Sequence, residues 1–203
     1  MSEQPLTLNV FIHEDLANHS RLGLYKTHFS WFADEIQKLS GRKISINMFT
    51  PSEAKALSDF DYKNVSSDHS LGGWIGKLIN HLGPERLGGL HIKFNKYLLL
   101  TRDNINSDVA GVAQPGGFAA IASTRGDGTA AHEAGHMFGA THEDSEVLYN
   151  GWWSETIMNN DGFSPLRSEA KRFSDKNREN IRNYLDNWIP FFLELPPPEE
   201  EAD

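Results

Sequence analysis

The segment from His132 to His142 constrains this chain most, because it reads His-Glu-Ala-Gly-His-Met-Phe-Gly-Ala-Thr-His. On a helix, residues four apart share one face, about 5–6 Å apart at Cβ, so His132 and His136 can direct both imidazoles at one point. Glu133 leans over the same face without having to be a ligand. Gly139 can adopt the left-handed conformation that ends a helix, after which His142 can return as a third ligand.

Three neutral imidazoles with one open position form the ligand set of a catalytic zinc site, which predicts one Zn²⁺ per chain. Glu133 is then the expected general base. Two alternatives remain open. The first is a non-catalytic, zinc-stabilised binding module, and the second is a metal-dependent hydrolase of another kind of amide. The presence of Glu133 favours the enzyme, because a structural site has no need of it.

Composition narrows the possible partners and ligands. The 203 residues carry a net charge of −9 and include no cysteine, so disulfides and thiolate metal ligands are excluded. An acidic chain without a basic stripe argues against nucleic acid and against anionic membranes. No apolar run reaches the roughly 20 residues that span a bilayer. We expect a monomer that acts on a protein or peptide substrate, and a separate inhibitor protein is one way to keep it latent.

The N-terminal residues Met1–Pro5 have neither a basic segment nor an apolar one, unlike a signal peptide. We therefore expect secretion by a route without such a peptide, as for an effector or toxin, or a cytoplasmic location, or a sequence that begins after a removed segment.

Hydrophobic periodicity predicts an α/β fold with a twisted mixed sheet. Alternating or continuous apolar residues predict strands at 6–12, 43–49 and 96–101. Apolar residues at spacings of three and four predict helices at 25–39 and 70–82, with Gly41 ending the first. Small residues and the histidines predict an active-site helix at 128–138. Ser174 is positioned to cap a last helix at 175–188.

The motif from His132 to His142 resembles the zinc signature of the metzincin metallopeptidases. That family has a methionine-containing turn beneath the metal, and Met158, within Thr156-Ile157-Met158-Asn159-Asn160, is the matching candidate. The resemblance implies that Met158 supports the histidines through apolar contact without ligating. Asn160 stands where some members of the family have a tyrosine, so no tyrosine ligand is expected there. The resemblance does not assign a subfamily.

In metzincins, an edge strand precedes the active-site helix and pairs with an extended substrate. Pro115 removes a ladder donor, so the strand it begins is expected at an edge. The resemblance implies that the substrate-binding edge strand comprises Gly116, Gly117, Phe118, Ala119, Ala120, Ile121 and Ala122.

We expect a single catalytic domain over residues 1–203. Residues 1–141 would form an upper subdomain with the sheet and the active-site helix. Residues 142–195 would form a small, irregular lower subdomain with the methionine turn and a final helix. Residues 196–203 combine proline and acidic residues and are expected to be a disordered tail.

Overall fold

The computed structural model describes residues 4–149, 153–159 and 168–187. Its main sheet has five strands, and the smaller sheet of the described residues has three. The strands, in chain order, are β1 (Leu6–Ile12), β2 (Ile44–Phe49), β3 (Asn95–Thr101), β4 (Gly111–Ala113), β5 (Ala119–Ser123), β6 (Val147–Tyr149), β7 (Trp153–Thr156) and β8 (Ser168–Ala170). The helices are α1 (Arg21–His28), α2 (Ser30–Ser40), α3 (Lys55–Ser58), α4 (Ser67–Leu82), α5 (Gly89–Phe94), α6 (Thr129–Met137) and α7 (Asp175–Asn187).

The main sheet is mixed and has the strand order β2-β1-β3-β5-β4. Strands β2, β1, β3 and β5 are parallel, and β4 runs antiparallel to β5. Continuous apolar strands such as β3 are buried on both faces, as parallel strands usually are. The predicted α/β fold with a mixed sheet is therefore confirmed.

The predicted edge position of residues 116–122 is wrong. Strand β5 pairs with β3 on one side and with β4 on the other, so it is an interior strand. Gly116, Gly117 and Phe118 precede it, in the connection from β4. The Gly117 N–H donates to the Gln114 carbonyl at 2.8 Å, and Gly116 has φ of 70°. Proline followed by glycine thus occupies the middle of a tight turn, and the edge strand is β4.

The helix predicted over 25–39 is two helices in the structure. Helix α1 starts earlier, at Arg21, where the Ser20 hydroxyl caps it by accepting from the Gly23 N–H at 3.3 Å. Phe29 leaves helical geometry with φ of −127° and separates α1 from α2. Helix α2 ends at Gly41 with φ of 69°, as predicted. The apolar period continues through Phe29 because that residue stays buried, which conceals the break.

Helices cover both faces of the main sheet and create two apolar cores. One core contains Phe32 of α2, Met137 of α6 and Ile181 of α7, together with Phe173 and Met158. The other core lies against α4, which contributes residues such as Trp74 and Leu78. The sheet therefore supports α6 from behind, and α7 packs on the same side.

The predictions for Asn160 and for the tail at 196–203 fall outside the described residues. The division into an upper and a lower subdomain stays a prediction. Among the described residues, we find no helix with the length and apolar character needed to cross a membrane.

Candidate metal site

Helix α6 brings two of the three motif histidines together. His132 and His136 lie one turn apart on it, and their rings are 4.8 Å apart between centroids. The helix ends at Met137, and Gly139 has φ of 90°, in the left-handed region that a side chain disfavours. The chain turns at this glycine, and His142 returns to face the other two rings.

The three Nε2 atoms form a small triangle. They are separated by 2.9 Å between His132 and His142, by 2.9 Å between His136 and His142, and by 3.1 Å between His132 and His136. Within the described part of the chain, no second group of His, Cys, Asp or Glu side chains converges in this way. The triangle is small enough for one ion to contact all three nitrogens.

Backbone carbonyls orient two of these rings from behind. The Nδ1 atom of His132 lies 2.7 Å from the Ile157 carbonyl oxygen, and Nδ1 of His136 lies 2.9 Å from that of Ala140. A carbonyl can only accept, so each Nδ1 carries the proton and each Nε2 presents its lone pair to the centre. Burial, together with the neighbouring His136 ring, lowers the pKa of His132 to about 4, and burial also lowers the pKa of His136. Both rings are therefore neutral near pH 7, as metal ligation requires.

The donor set fits zinc better than the other common divalent ions. Three imidazole nitrogens and no described carboxylate among the converging atoms suit zinc, whereas calcium and magnesium prefer oxygen ligands. His132, His136 and His142 would hold the ion, and all three line the cleft from which a substrate would approach.

Glu133 lies beside the triad but outside it. Its side chain is only 6% exposed, and burial raises its pKa from 4.5 to about 8. It lines a cleft of about 540 Å³ together with all three histidines. In the metal-free protein this carboxyl group therefore holds its proton at neutral pH, and a cation held by the adjacent histidines would favour the ionised form that a general base needs.

Met158 lies directly under the helix that carries the histidines. It is fully buried, and a Cβ placed on Gly135 would lie 3.0 Å from its Sδ atom and 2.7 Å from Cε1 of Phe173. Helix α6 therefore approaches this floor closely because residue 135 has no side chain. In the described residues Met158 contacts the site through packing, and the three converging ligand atoms are all histidine nitrogens.

Helix α7 fixes the loop that carries His142. The side chain of Asn177 is buried, accepting from the Thr141 N–H at 2.8 Å and donating to the Thr141 carbonyl at 3.0 Å. The side chain of the neighbouring Asp144 accepts from the Thr141 hydroxyl and from the Asn180 amide. The loop is thus held by side chains of α7.

Strand β4 forms one wall of the cleft. The Ser123 N–H donates to the Ala110 carbonyl at 2.8 Å, which makes this a hydrogen-bonded pair of the antiparallel ladder. Because such pairs alternate along a ladder, the N–H and C=O groups of Gly111 and Ala113 point away from β5. Strand β4 therefore offers free backbone groups along the cleft that contains the histidines.

The sequence did not predict a hydrogen-bonded cluster behind the cleft, which Lys96 and Tyr184 form with the backbone of the β4–β5 turn. The Nζ atom of the buried Lys96 donates to the Gly117 carbonyl at 2.9 Å and to the Tyr184 hydroxyl at 2.6 Å. Tyr184 donates in turn to the Gly116 carbonyl at 3.2 Å, while the Gly116 N–H bonds the carbonyl of His136 at 2.8 Å. The β4–β5 turn is thereby tied to both α6 and α7. The available signal was a lysine directly before the apolar run from Tyr97 to Leu100.

Comparison with known proteins shows a shared fold. No family model matches the sequence, and neither does any curated protein. Metalloproteinase-II from Bacteroides fragilis is similar in structure, with a TM-score of 0.58 and 18% identity over 91% of this chain and 54% of that one. A structure described as a chaperone–substrate complex matches with a TM-score of 0.51 and 14% identity, over 91% of this chain and 34% of the other.

A zinc-dependent peptidase from Methanocorpusculum labreanum aligns over 86% of this chain and 99% of its own, with 17% identity and a TM-score of 0.49. The chain thus has a mixed α/β fold shared with a metalloproteinase, of which it spans about half the length. At such identities the likeness concerns the fold. What supports the histidine triad is the geometry of this chain itself.

Proposed function

We propose that this protein is a zinc-dependent endopeptidase of the metzincin type. The observation that carries the proposal is the placement of Glu133 beside three converging imidazole nitrogens, at the floor of a cleft walled by a free strand edge. The name of the structurally similar metalloproteinase supports the same class of reaction.

The three histidines would hold one zinc ion per chain. When bound, zinc lowers the pKa of a coordinated water toward about 7 and polarises a carbonyl group. Glu133 accepts a proton from the attacking water and delivers it to the leaving amine nitrogen. His132 and His136 stay neutral because burial lowers their pKa values, while the hydrogen bonds from Nδ1 to backbone carbonyls orient the rings.

The free edge of β4 favours an extended peptide as the substrate. The outward N–H and C=O groups of Gly111 and Ala113 can pair with the backbone of an added strand. Such pairing requires a segment of substrate that is locally unfolded, which suits cleavage within a protein chain. A hydrolase of small amides would not need this row of backbone groups, so the edge favours the peptidase over that alternative.

Digestion of casein by the zinc-loaded protein tests the proposal. We expect cleavage that a chelator abolishes and that added zinc restores. The variant Glu133→Gln should keep zinc and fold but lose about a hundred- to ten-thousand-fold in kcat, as expected for loss of a general base. A non-catalytic zinc module would bind the metal and cleave nothing. Full activity in Glu133→Gln would contradict the assignment of Glu133.

A further inference from the structure

Gly111 is the first residue of the edge strand β4, and it lies directly beside the side chain of Glu133. A Cβ built on Gly111 would lie 2.7 Å from both Cγ and Oε1 of Glu133, and 2.9 Å from its Cδ. Carbon atoms in proteins essentially never approach this closely without displacement, because optimal separations are about 3.5–4.0 Å. The Glu133 side chain therefore occupies the space that any other residue at position 111 would fill.

The backbone gives no other reason for glycine here. Gly111 is absent from the glycines with positive φ, which include Gly116 and Gly139, so an alanine could adopt its conformation. Its partner in the ladder is Ala122 of β5, which is a regular antiparallel pairing. Glycine usually weakens a strand, so its presence in this short strand needs an explanation from its surroundings.

We propose that Gly111 is a positioning residue whose missing side chain leaves room for the Glu133 carboxyl group beside the histidine triad. The inference rests on the proposed function, because it gives Glu133 a catalytic role. Glu133 follows His132 on α6, so its backbone position is fixed by the metal-ligand helix. Because the three nearest atoms all belong to the Glu133 side chain beyond its Cβ, we expect a methyl group on Gly111 to be accommodated by rotation of the carboxyl group.

A double-mutant cycle between Gly111→Ala and Glu133→Ala tests this contact. Glu133→Ala removes Cγ, Cδ and Oε1, which are the three atoms nearest the added methyl group. In the parent, Gly111→Ala should keep zinc, lower the melting temperature, and lower kcat on fluorescein-labelled casein about a hundredfold, with KM little changed. In the Glu133→Ala background, the same substitution should leave the melting temperature unchanged.

Gly72→Ala is the matched control, since Gly72 lies on the exposed side of α4 with nothing within 4 Å of an added Cβ. It should leave kcat unchanged and raise the melting temperature slightly, because alanine favours helix more than glycine does.

Three outcomes would overturn the proposal. The first is an unchanged kcat in Gly111→Ala, and the second is an equal loss of melting temperature in both backgrounds. The third is a rise in KM with kcat unchanged, which would mean that the methyl group obstructs the substrate instead. If Glu133→Ala were as active as the parent, the proposed function would fail, while the melting-temperature cycle would still report on the contact itself.

Discussion

The Nδ1 atom of His132 lies 2.7 Å from the carbonyl oxygen of Ile157, the residue that precedes Met158. This bond joins α6 to the turn beneath it and leaves the lone pair of His132 Nε2 directed at the other two imidazoles. An outer hydrogen bond of this kind both orients the ring and increases its basicity as a ligand. The turn therefore contributes to the site through its backbone as well as through the methionine side chain.

Removal of His142 should abolish zinc binding without unfolding the protein. This residue lies in the loop after α6, so His142→Ala leaves the helix intact. Purified His142→Ala should contain no stoichiometric zinc by elemental analysis, whereas the parent should contain one ion per chain. His81→Ala, an exposed change on α4, is the control and should keep its zinc. Retention of one tightly bound zinc ion in His142→Ala would show that the triad is not the ligand set.

Asn177 should influence zinc affinity although it is not a ligand. The change Asn177→Asp preserves shape but replaces the donor to the Thr141 carbonyl with a second acceptor. The loop carrying His142 then loses its anchor, and we expect zinc to bind about 10–100-fold more weakly in a chelator competition. Asn183→Asp, on the exposed side of the same helix, adds the same charge and should bind zinc like the parent. Equal affinities for all three proteins would contradict this role.

Proline substitutions distinguish the edge strand from the interior strand. Ala113→Pro removes an outward N–H of β4, so the protein should fold, keep zinc, and lose one substrate hydrogen bond. That loss corresponds to about 0.5–1.5 kcal/mol, or a rise in KM of about two- to tenfold. Ala120→Pro breaks the ladder of β5 instead and should lower the melting temperature sharply. If Ala120→Pro raised KM and Ala113→Pro lowered the melting temperature, β5 would be the strand that pairs with the substrate.

The packing between α6 and Met158 should tolerate a side chain of different shape better than an added methyl group. Met158→Leu roughly conserves volume and should cost under about 1.5 kcal/mol in unfolding free energy, with zinc retained. Gly135→Ala adds a methyl group 2.7 Å from Phe173 and should cost about 1–3 kcal/mol. Chemical denaturation of both variants measures the difference. Loss of zinc in a folded Met158→Leu would indicate that Met158 is a ligand.

Glu133 should make the stability of the metal-free protein depend on pH. Its pKa is about 8 in the folded state against 4.5 when unfolded, so the folded state holds an extra proton between these values. Stability from this group is therefore complete below about pH 4.5 and is lost as pH rises toward 8. Glu133→Gln removes the effect, so its melting temperature relative to the parent should increase steadily over this range. A constant difference would contradict the raised pKa.

The shifted pKa of His132 has the opposite effect on how stability changes with pH. Its folded pKa of about 4 lies below the ordinary 6.5, so the unfolded state binds the additional proton between these values. The metal-free protein should lose stability as pH falls from about 6.5 to 4. The Glu133 comparison is therefore made against the parent at each pH, which cancels the histidine contribution common to both proteins.

The sequence predicted those parts of the site that depend on local geometry. His132 and His136 are set by one turn of helix, and Gly139 lies at the turn that returns His142. The position of β4 could not be predicted in this way, because strand order is decided by pairing between distant segments. The Pro115-Gly116 pair contains a turn signal, although Pro115 alone also fits the first residue of an edge strand.

The contacts of α7 lay beyond sequence reasoning for the same reason. Asn177 resembles any polar residue on an amphipathic helix until its distance from Thr141 is known. Gly111 likewise becomes informative only when Glu133 is seen beside it. Such residues contact the site in space, but their separation from it along the chain follows no fixed pattern. The three motif histidines, in contrast, have a fixed spacing in the sequence.

Because α7 follows α6 in the sequence, the contacts of α7 with the site form only after the histidines have been synthesised. A ribosome releases α6 and the three histidines before it releases α7, which carries Asn177 and Tyr184. Until then, the Thr141 backbone lacks its amide partner and Gly116 lacks the tyrosine hydroxyl. A nascent chain therefore contains the complete metal-binding motif but not its support. The proposed peptidase would therefore gain the support of its histidine loop only after α7 has been made and has packed against it.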